Sequence, residues 1–254
     1  MAEQREALLG AETDPFGVPV EKICSATEAR IDGRSVLLAG TNNYLGLTFD
    51  PDCIEAGRDA LSQQGTGTTG SRMANGTYAD HMALERELAD FYGVRSAIVF
   101  STGYMANLGM ISSLTGSGDV VLVDADCHAS IYDGATLSGA DVLRFRHNDA
   151  ASLEKRLERL GERAERTLII VEGIYSMLGD RAPLEELVEA KERRGGYLMV
   201  DEAHSLGVLG ERGRGRVEET GTLGGVDFVV GTFSKSLAGI GGFCASDREE
   251  LDAV

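Results

Sequence analysis

Six short apolar runs constrain this chain more than any other feature. They are SAIVF (96–100), DVVLV (119–123), DVLRF (141–145), TLIIV (167–171), GYLMV (196–200) and VDFVV (226–230). Each has the length and the Val, Ile, Leu and Phe content of a strand buried on both faces. The segments between them carry helical spacing instead. ASLEKRLERL is one such segment. APLEELVEAKERR is another, with Leu184, Leu187, Val188 and Lys191 three and four residues apart and Pro183 near its start. Lys155 and Lys191 lie in these charge-rich stretches and read as solvated. Strand and helix in alternation predict an α/β fold with a mostly parallel central sheet and helices on both faces.

In open sheets of this kind, ligands bind beyond the carboxyl ends of the strands. That rule selects five loops: STGYMAN, DADCHAS, EGIYSMLGD, DEAHSLG and GTFSKS. The chain has four lysines, and only Lys235 sits among Gly, Ser, Thr and apolar neighbours just past a buried run. A lysine desolvated there would have a lowered pKa and a nucleophilic amine. A surface-loop lysine fits the position equally well. Asp201 ends the run YLMV, where a carboxylate can pair with a pyridinium nitrogen or simply cap a turn. His204 follows three residues later and can turn to the same place. Asp201, Glu202 and His204 are also possible metal ligands, but no second cluster with ligand spacing accompanies them, so no metal is expected. His128 in DADCHAS can stack on an aromatic ring or serve a structural role. Gly103 and Tyr104 open a helix-like stretch whose N–H groups suit a phosphate, with the hydroxyls of Thr232 and Ser234 beside Lys235. Asn43 and Tyr44, in TNNYLGL, are polar groups in an apolar setting.

The totals exclude other classes. A chain of 254 residues with 43% hydrophobic content suffices for one large domain with a core. A formal net charge of −17 opposes binding to nucleic acid and to anionic membranes. No apolar stretch is long enough for a transmembrane segment. The start, MAEQREALLGAETDPFG, lacks the basic and apolar regions of a signal peptide, so a cytoplasmic location is expected. Cys24, Cys53, Cys127 and Cys244 form no CxxC pair and are expected as reduced thiols.

In order along the chain stand TNNYLGL, GTGTTGSRMANGT, FSTGYMANLGM, DADCHASIYDG, RFRHND, EGIYSMLGD, VDEAHSLGVLGERGRG and GTFSKS. This series resembles the α-oxoamine synthases, a pyridoxal 5'-phosphate (PLP) family of the fold-type-I aminotransferase class. TDPFG near the start, YSMLGD and HASIYDG resemble its serine-using bacterial branch. Other members more often carry an aspartate where Leu178 stands.

The resemblance implies a PLP-binding large domain over 46–254 after an N-terminal segment over 1–45. It implies that Lys235 is the Schiff-base lysine and the base that takes the α-proton. Asp201 would face the pyridine nitrogen, and His128 would stack on the ring. His204 and Ser176 would lie near the ring hydroxyl. Gly103, Tyr104, Thr232 and Ser234 would cradle the phosphate, and Asn43 and Tyr44 would approach the substrate. The implied reaction condenses L-serine with palmitoyl-CoA or a similar acyl-CoA, giving 3-ketodihydrosphingosine, CO2 and CoA. Two alternatives stay open: a sibling synthase using glycine or alanine, and a non-catalytic partner subunit. A homodimer with the site between subunits is implied. The family's small C-terminal domain supplies an arginine for the amino-acid carboxylate. That domain is expected beyond Val254, so the chain alone is expected to be a poor catalyst.

Overall fold

The computed structural model describes residues 18–254. The polar start and TDPFG (residues 13–17) lie outside the described residues. Seven strands form the main sheet: β4 (Ser96–Phe100), β5 (Val120–Asp124), β6 (Asp141–Phe145), β7 (Thr167–Glu172), β8 (Tyr197–Asp201), β9 (Phe228–Thr232) and β10 (Gly242–Ser246), in the order β4-β10-β9-β8-β7-β5-β6. The neighbours from β9 to β6 are all parallel, as the apolar runs predict. β10 is antiparallel to both β4 and β9. β4 therefore runs with the parallel set, and six strands deliver their carboxyl ends to one edge.

β10 has no counterpart among the six predicted runs. Its sequence is GFCAS, and every residue is buried. Glycine is required at its first position, because a Cβ on Gly242 would lie 2.6 Å from the Cα of Gly103. Space, not β-propensity, selects this strand.

The helices follow the predicted alternation. They are α1 (Pro51–Gln64), α2 (Ala79–Tyr92), α3 (Gly103–Leu114), α4 (Ala129–Ser138), α5 (Ala150–Leu160), α6 (Leu184–Arg194) and the short α7 (Arg216–Glu219). Leu153 and Leu157 of α5 are buried, as are Leu184, Leu187, Val188 and Ala190 of α6. Lys191 departs from its expected solvation. Its ammonium lies 3.0 Å from the buried carboxylate of Asp227 and donates to the carbonyl of Gly225 at 3.1 Å. The amphipathic spacing that turns Val188 inward turns Lys191 inward too, and the ion pair compensates its burial.

The N-terminal part is organised differently. β1 (Lys22–Ile23), β2 (Glu28–Ile31) and β3 (Arg34–Leu37) form a separate antiparallel sheet, and no residue of α1 is buried. The continuous core involves α2 and everything after it, beginning at Leu88. Among the described residues no helix is long and apolar enough to cross a membrane. Cys24 and Cys53 are exposed thiols, and Cys127 and Cys244 are buried ones.

Candidate active site

A cavity of about 240 Å³ opens at the carboxyl edge of the sheet. The strand ends reach it directly: Glu172 from β7, Asp201 from β8 and Thr232 from β9. Lys235, His204, His128 and the start of α3 complete its wall. The strand-end rule thus gathers residues separated by more than a hundred positions.

Lys235 Nζ stands 2.7 Å from His204 Nε2. Burial lowers the Lys235 pKa, against the opposing pull of Asp201 and Glu172. His204 is pushed down to about 4, first by burial and then by the charge of Lys235. His204 is therefore neutral at pH 7, and its second nitrogen, Nδ1, lies 2.7 Å from the Tyr44 hydroxyl. The proton bookkeeping closes in one direction. Lys235 donates to Nε2, Nδ1–H donates to Tyr44, and the Tyr44 hydroxyl donates to Asn42 Oδ1 at 3.2 Å.

Asp201 is only 6% exposed, and both its oxygens have donors. Asn107 Nδ2 donates to Oδ2 at 2.7 Å, and the Ala203 amide donates to Oδ1 at 2.9 Å. The second contact is the turn-capping role considered for Asp201, and it coexists with a place in the cavity wall.

At the start of α3, Thr102 caps the helix by accepting from the Met105 amide. Among the described residues the amides of Gly103 and Tyr104 have no hydrogen-bond partner, so two N–H groups face the cavity from a helix N-terminus. Gly103 is needed for close packing here, since a Cβ would lie 2.8 Å from that of Thr232. Thr232 donates to the Gly241 carbonyl at 3.0 Å and so accepts from the Ser234 hydroxyl at 2.8 Å. The Tyr104 hydroxyl is bonded to the Asp133 carboxylate, and its ring stands edge-on to His128.

Three predicted site residues do not line the cavity: Ser176, Asn43 and Tyr44, the last reaching it only through its contact with His204. Ser176 is exposed, in the turn after Tyr175, and does not line the cavity. The buried Tyr175 ring anchors that turn and sends the next residues outward. Asn43 also lies outside the cavity, and its amide donates to Thr48 Oγ1 at 2.9 Å and closes its own segment. Glu202, considered as a metal ligand, is fully buried and bonded to Ser205 and to the amides of Arg216 and Val217.

Five cavity residues are not among the predicted site residues: Thr102 and Ala203, which adjoin predicted ones, and Glu172, Asn107 and Ser130. Glu172 had a visible signal, because TLIIVE ends an apolar run on an acid just as YLMVD does. The two acids are register partners in the sheet. Asn107 is one helical turn after Gly103, the only amide side chain in an apolar helix.

Glu172 is 3% exposed and accepts from the His128 amide. Its pKa is raised to about 8, by burial and then by repulsion from Asp201. A carboxyl raised by folding stabilises in full below its unfolded pKa, and that contribution is lost as pH climbs through about 8. The cofactor-free chain should therefore lose melting temperature between pH 6 and pH 9. A Glu172→Gln variant, neutral throughout, should show a flatter profile. Parallel profiles for the two proteins would rule out this origin.

The chain is similar to known proteins over nearly all its length. The chain is 56% identical to the serine palmitoyltransferase of Caulobacter vibrioides over 98% of its own length and 62% of that protein. It is 53% identical to that of Sphingomonas paucimobilis, over 100% of this chain and 60% of the relative. It therefore spans about three fifths of the relatives' length. A solved structure of S. paucimobilis serine palmitoyltransferase with bound PLP-myriocin aldimine superposes with a TM-score of 0.94 at 53% identity, covering 99% of this chain and 63% of that one. The 8-amino-7-oxononanoate synthase of Francisella tularensis superposes with a TM-score of 0.71 at 28% identity, over 84% of this chain and 59% of that one. The family profile for aminotransferase class I and II matches residues 34–254, and the chain belongs to that family.

Proposed function

We propose that this chain is the cofactor-binding part of a PLP-dependent acyltransferase. Its reaction condenses L-serine with palmitoyl-CoA or a similar acyl-CoA, giving 3-ketodihydrosphingosine, CO2 and CoA. One observation carries this reading: a desolvated lysine amine, 2.7 Å from a neutral histidine, shares a cavity with a buried carboxylate held by two donors. The donor set fits PLP group by group. The amides of Gly103 and Tyr104 would hold the phosphate, the Ser234 hydroxyl would add a donor by turning from Thr232, and the Thr232 hydroxyl, bonded to the Gly241 carbonyl, would fix the turn beside it. Asp201 would face the ring nitrogen, His204 the ring hydroxyl and Lys235 the aldehyde. When bound, the protonated ring withdraws electrons from the bonds of the substrate α-carbon.

The chain's own residues then have distinct tasks. Lys235 Nζ, with its pKa lowered by burial, accepts the α-proton. Asp201, held by Asn107 and the Ala203 amide, would accept a hydrogen bond from the ring nitrogen. His128 presents a polar group from the wall. Tyr44 holds His204 in one tautomer. Serine is favoured over alanine or glycine because the relatives named serine palmitoyltransferase reach 56% identity, whereas a putative 8-amino-7-oxononanoate synthase from Mycobacterium tuberculosis reaches 46%. Residues 46–254 form the cofactor-binding domain in this reading, after an N-terminal segment over 1–45. The protein works as a cytoplasmic homodimer.

The test is spectroscopic. The protein mixed with PLP should gain a visible absorption band that changes on adding L-serine and much less on adding alanine or glycine. Joined to the rest of the relatives' length, it should release CoA from palmitoyl-CoA only with serine. No band, or an equal response to alanine, would defeat the proposal.

A further inference from the structure

The cavity wall contains a hydrogen-bonded chain that the proposed roles do not use. It runs from Asp201 through Asn107 and Ser130 to His128. Asn107 and Ser130 are 2% and 1% exposed, so neither hydrogen bond competes with bulk water. Both come from helices rather than loops, Asn107 from α3 and Ser130 from α4.

The donors can be assigned one at a time. The Asn107 amide nitrogen lies 2.7 Å from Asp201 Oδ2 and 3.0 Å from Ser130 Oγ. The opposite orientation of that amide would set its oxygen against a carboxylate oxygen, so the NH2 group faces Asp201. Its two hydrogens go to Asp201 and Ser130. Ser130 Oγ thus accepts from Asn107, and its one hydrogen is left for His128 Nδ1 at 2.8 Å. The Ser130 backbone amide points at the same nitrogen, 3.2 Å away. With two donors aimed at it, Nδ1 carries a lone pair, and the ring proton sits on Nε2. The ring is held elsewhere too. Its backbone amide donates to Glu172, and the Tyr104 ring stands edge-on to it at 6.3 Å between centroids.

We propose that Ser130 and Asn107 are positioning residues that lock His128 in its Nε2–H tautomer and couple it to Asp201. On the reading given above, this makes His128 a hydrogen-bond donor to the substrate's oxygens, set by the same Asn107 that holds the carboxylate facing the ring. The tautomer itself requires no cofactor, so it stands or falls separately from PLP binding.

The chain has four histidines, so histidine-selective 15N labelling gives few resonances, and a His128→Gln variant identifies the one of interest. In the unaltered, cofactor-free protein, His128 should show Nδ1 as acceptor and Nε2 as protonated. A predominant Nδ1–H form would overturn the proposal with no variant made. Ser130→Ala removes the nearer donor and should raise the Nδ1–H share about fivefold, the equivalent of one neutral hydrogen bond. An unchanged ratio in a variant that melts normally would also overturn it. Coupling to Asp201 is read from PLP affinity. Asn107→Leu, which keeps the side-chain volume, should weaken it about tenfold and shift the bound cofactor's absorption. Combining Ser130→Ala with Asn107→Leu should cost no more than Asn107→Leu alone, because the two residues act as one unit. Strictly additive losses would show that no such coupling exists.

Discussion

A Lys235→Ala variant should lose all covalent capture of PLP while keeping its fold and a measurable non-covalent affinity. Borohydride treatment of the unaltered protein with PLP should leave one cofactor equivalent fixed on Lys235, readable by mass spectrometry. In the variant the label should vanish. The selectivity has a physical basis in the four lysines. Lys191 is tied to Asp227 at 3.0 Å and to a carbonyl, so its amine is engaged elsewhere. Lys22 is exposed. Lys235 alone combines burial, a lowered pKa and a neutral neighbour at 2.7 Å, so a larger share of its amine is unprotonated near pH 7. Where turnover is measured, the variant should fall by about 10³-fold or more, since nucleophile and base go together. The remaining scaffold contacts, at Asp201 and at the Gly103 and Tyr104 amides, account for the residual affinity. Label on another lysine, with Lys235 unmodified, would refute the assignment.

His204→Ala separates the amine from its setting. It would leave Lys235 without its 2.7 Å partner and Tyr44 without the Nδ1–H donor, but Asp201 untouched. Capture should therefore slow, not vanish.

Much of this site was legible before any coordinates, and for one reason. Buried parallel strands are short, apolar and unmistakable, and the residues that follow them must gather at one edge. That logic carries Lys235, Asp201, His204 and His128 into one cavity. It fails where the signal is steric or reciprocal. β10 reads as loop because Gly242 must be small to pack against Gly103, which no hydropathy pattern records. Lys191 reads as solvated because its partner, Asp227, is 36 positions away and invisible to helical spacing. Tyr44 and His204 meet across 160 positions, a contact set by how the N-terminal segment lies on the domain. Asn107 escaped for a subtler reason. A single amide in an apolar helix looks like an ordinary polar substitution until the strand opposite is known to end in a carboxylate. Ser176 and Asn43 show the converse, since proximity in sequence to a site motif did not place either of them in the wall.

The largest stability effect should come from a residue beside the chemistry rather than in it. Glu202 follows Asp201 and is fully buried. Its carboxylate accepts from the Val217 amide at 2.8 Å, the Arg216 amide at 3.0 Å and the Ser205 hydroxyl, so it closes the loop over 203–215 onto the start of α7. Gly173 and Gly215 leave the space it fills, because a Cβ on either would collide with that carboxylate. Glu202→Ala would orphan the buried Val217 amide and the part-buried Arg216 amide and open a polar void. At 1–3 kcal/mol for each orphaned group, the cost should be about 4 kcal/mol. For a chain of this size that corresponds to roughly 10 °C in melting temperature. Glu202→Gln keeps an acceptor and most of the volume, so its cost should be far smaller. The pH dependence distinguishes the two. The Glu202 pKa is raised to about 7, with burial as the main cause. Its contribution is complete below the unfolded carboxyl pKa and declines as pH rises through 7. The Gln variant, which cannot ionise, should therefore compare best with the unaltered protein at pH 9 and worst at pH 5. Urea titrations of the three proteins at both pH values would measure this. A cost below about 1 kcal/mol for Glu202→Ala would mean that the loop bearing His204 is held by something other than this carboxylate.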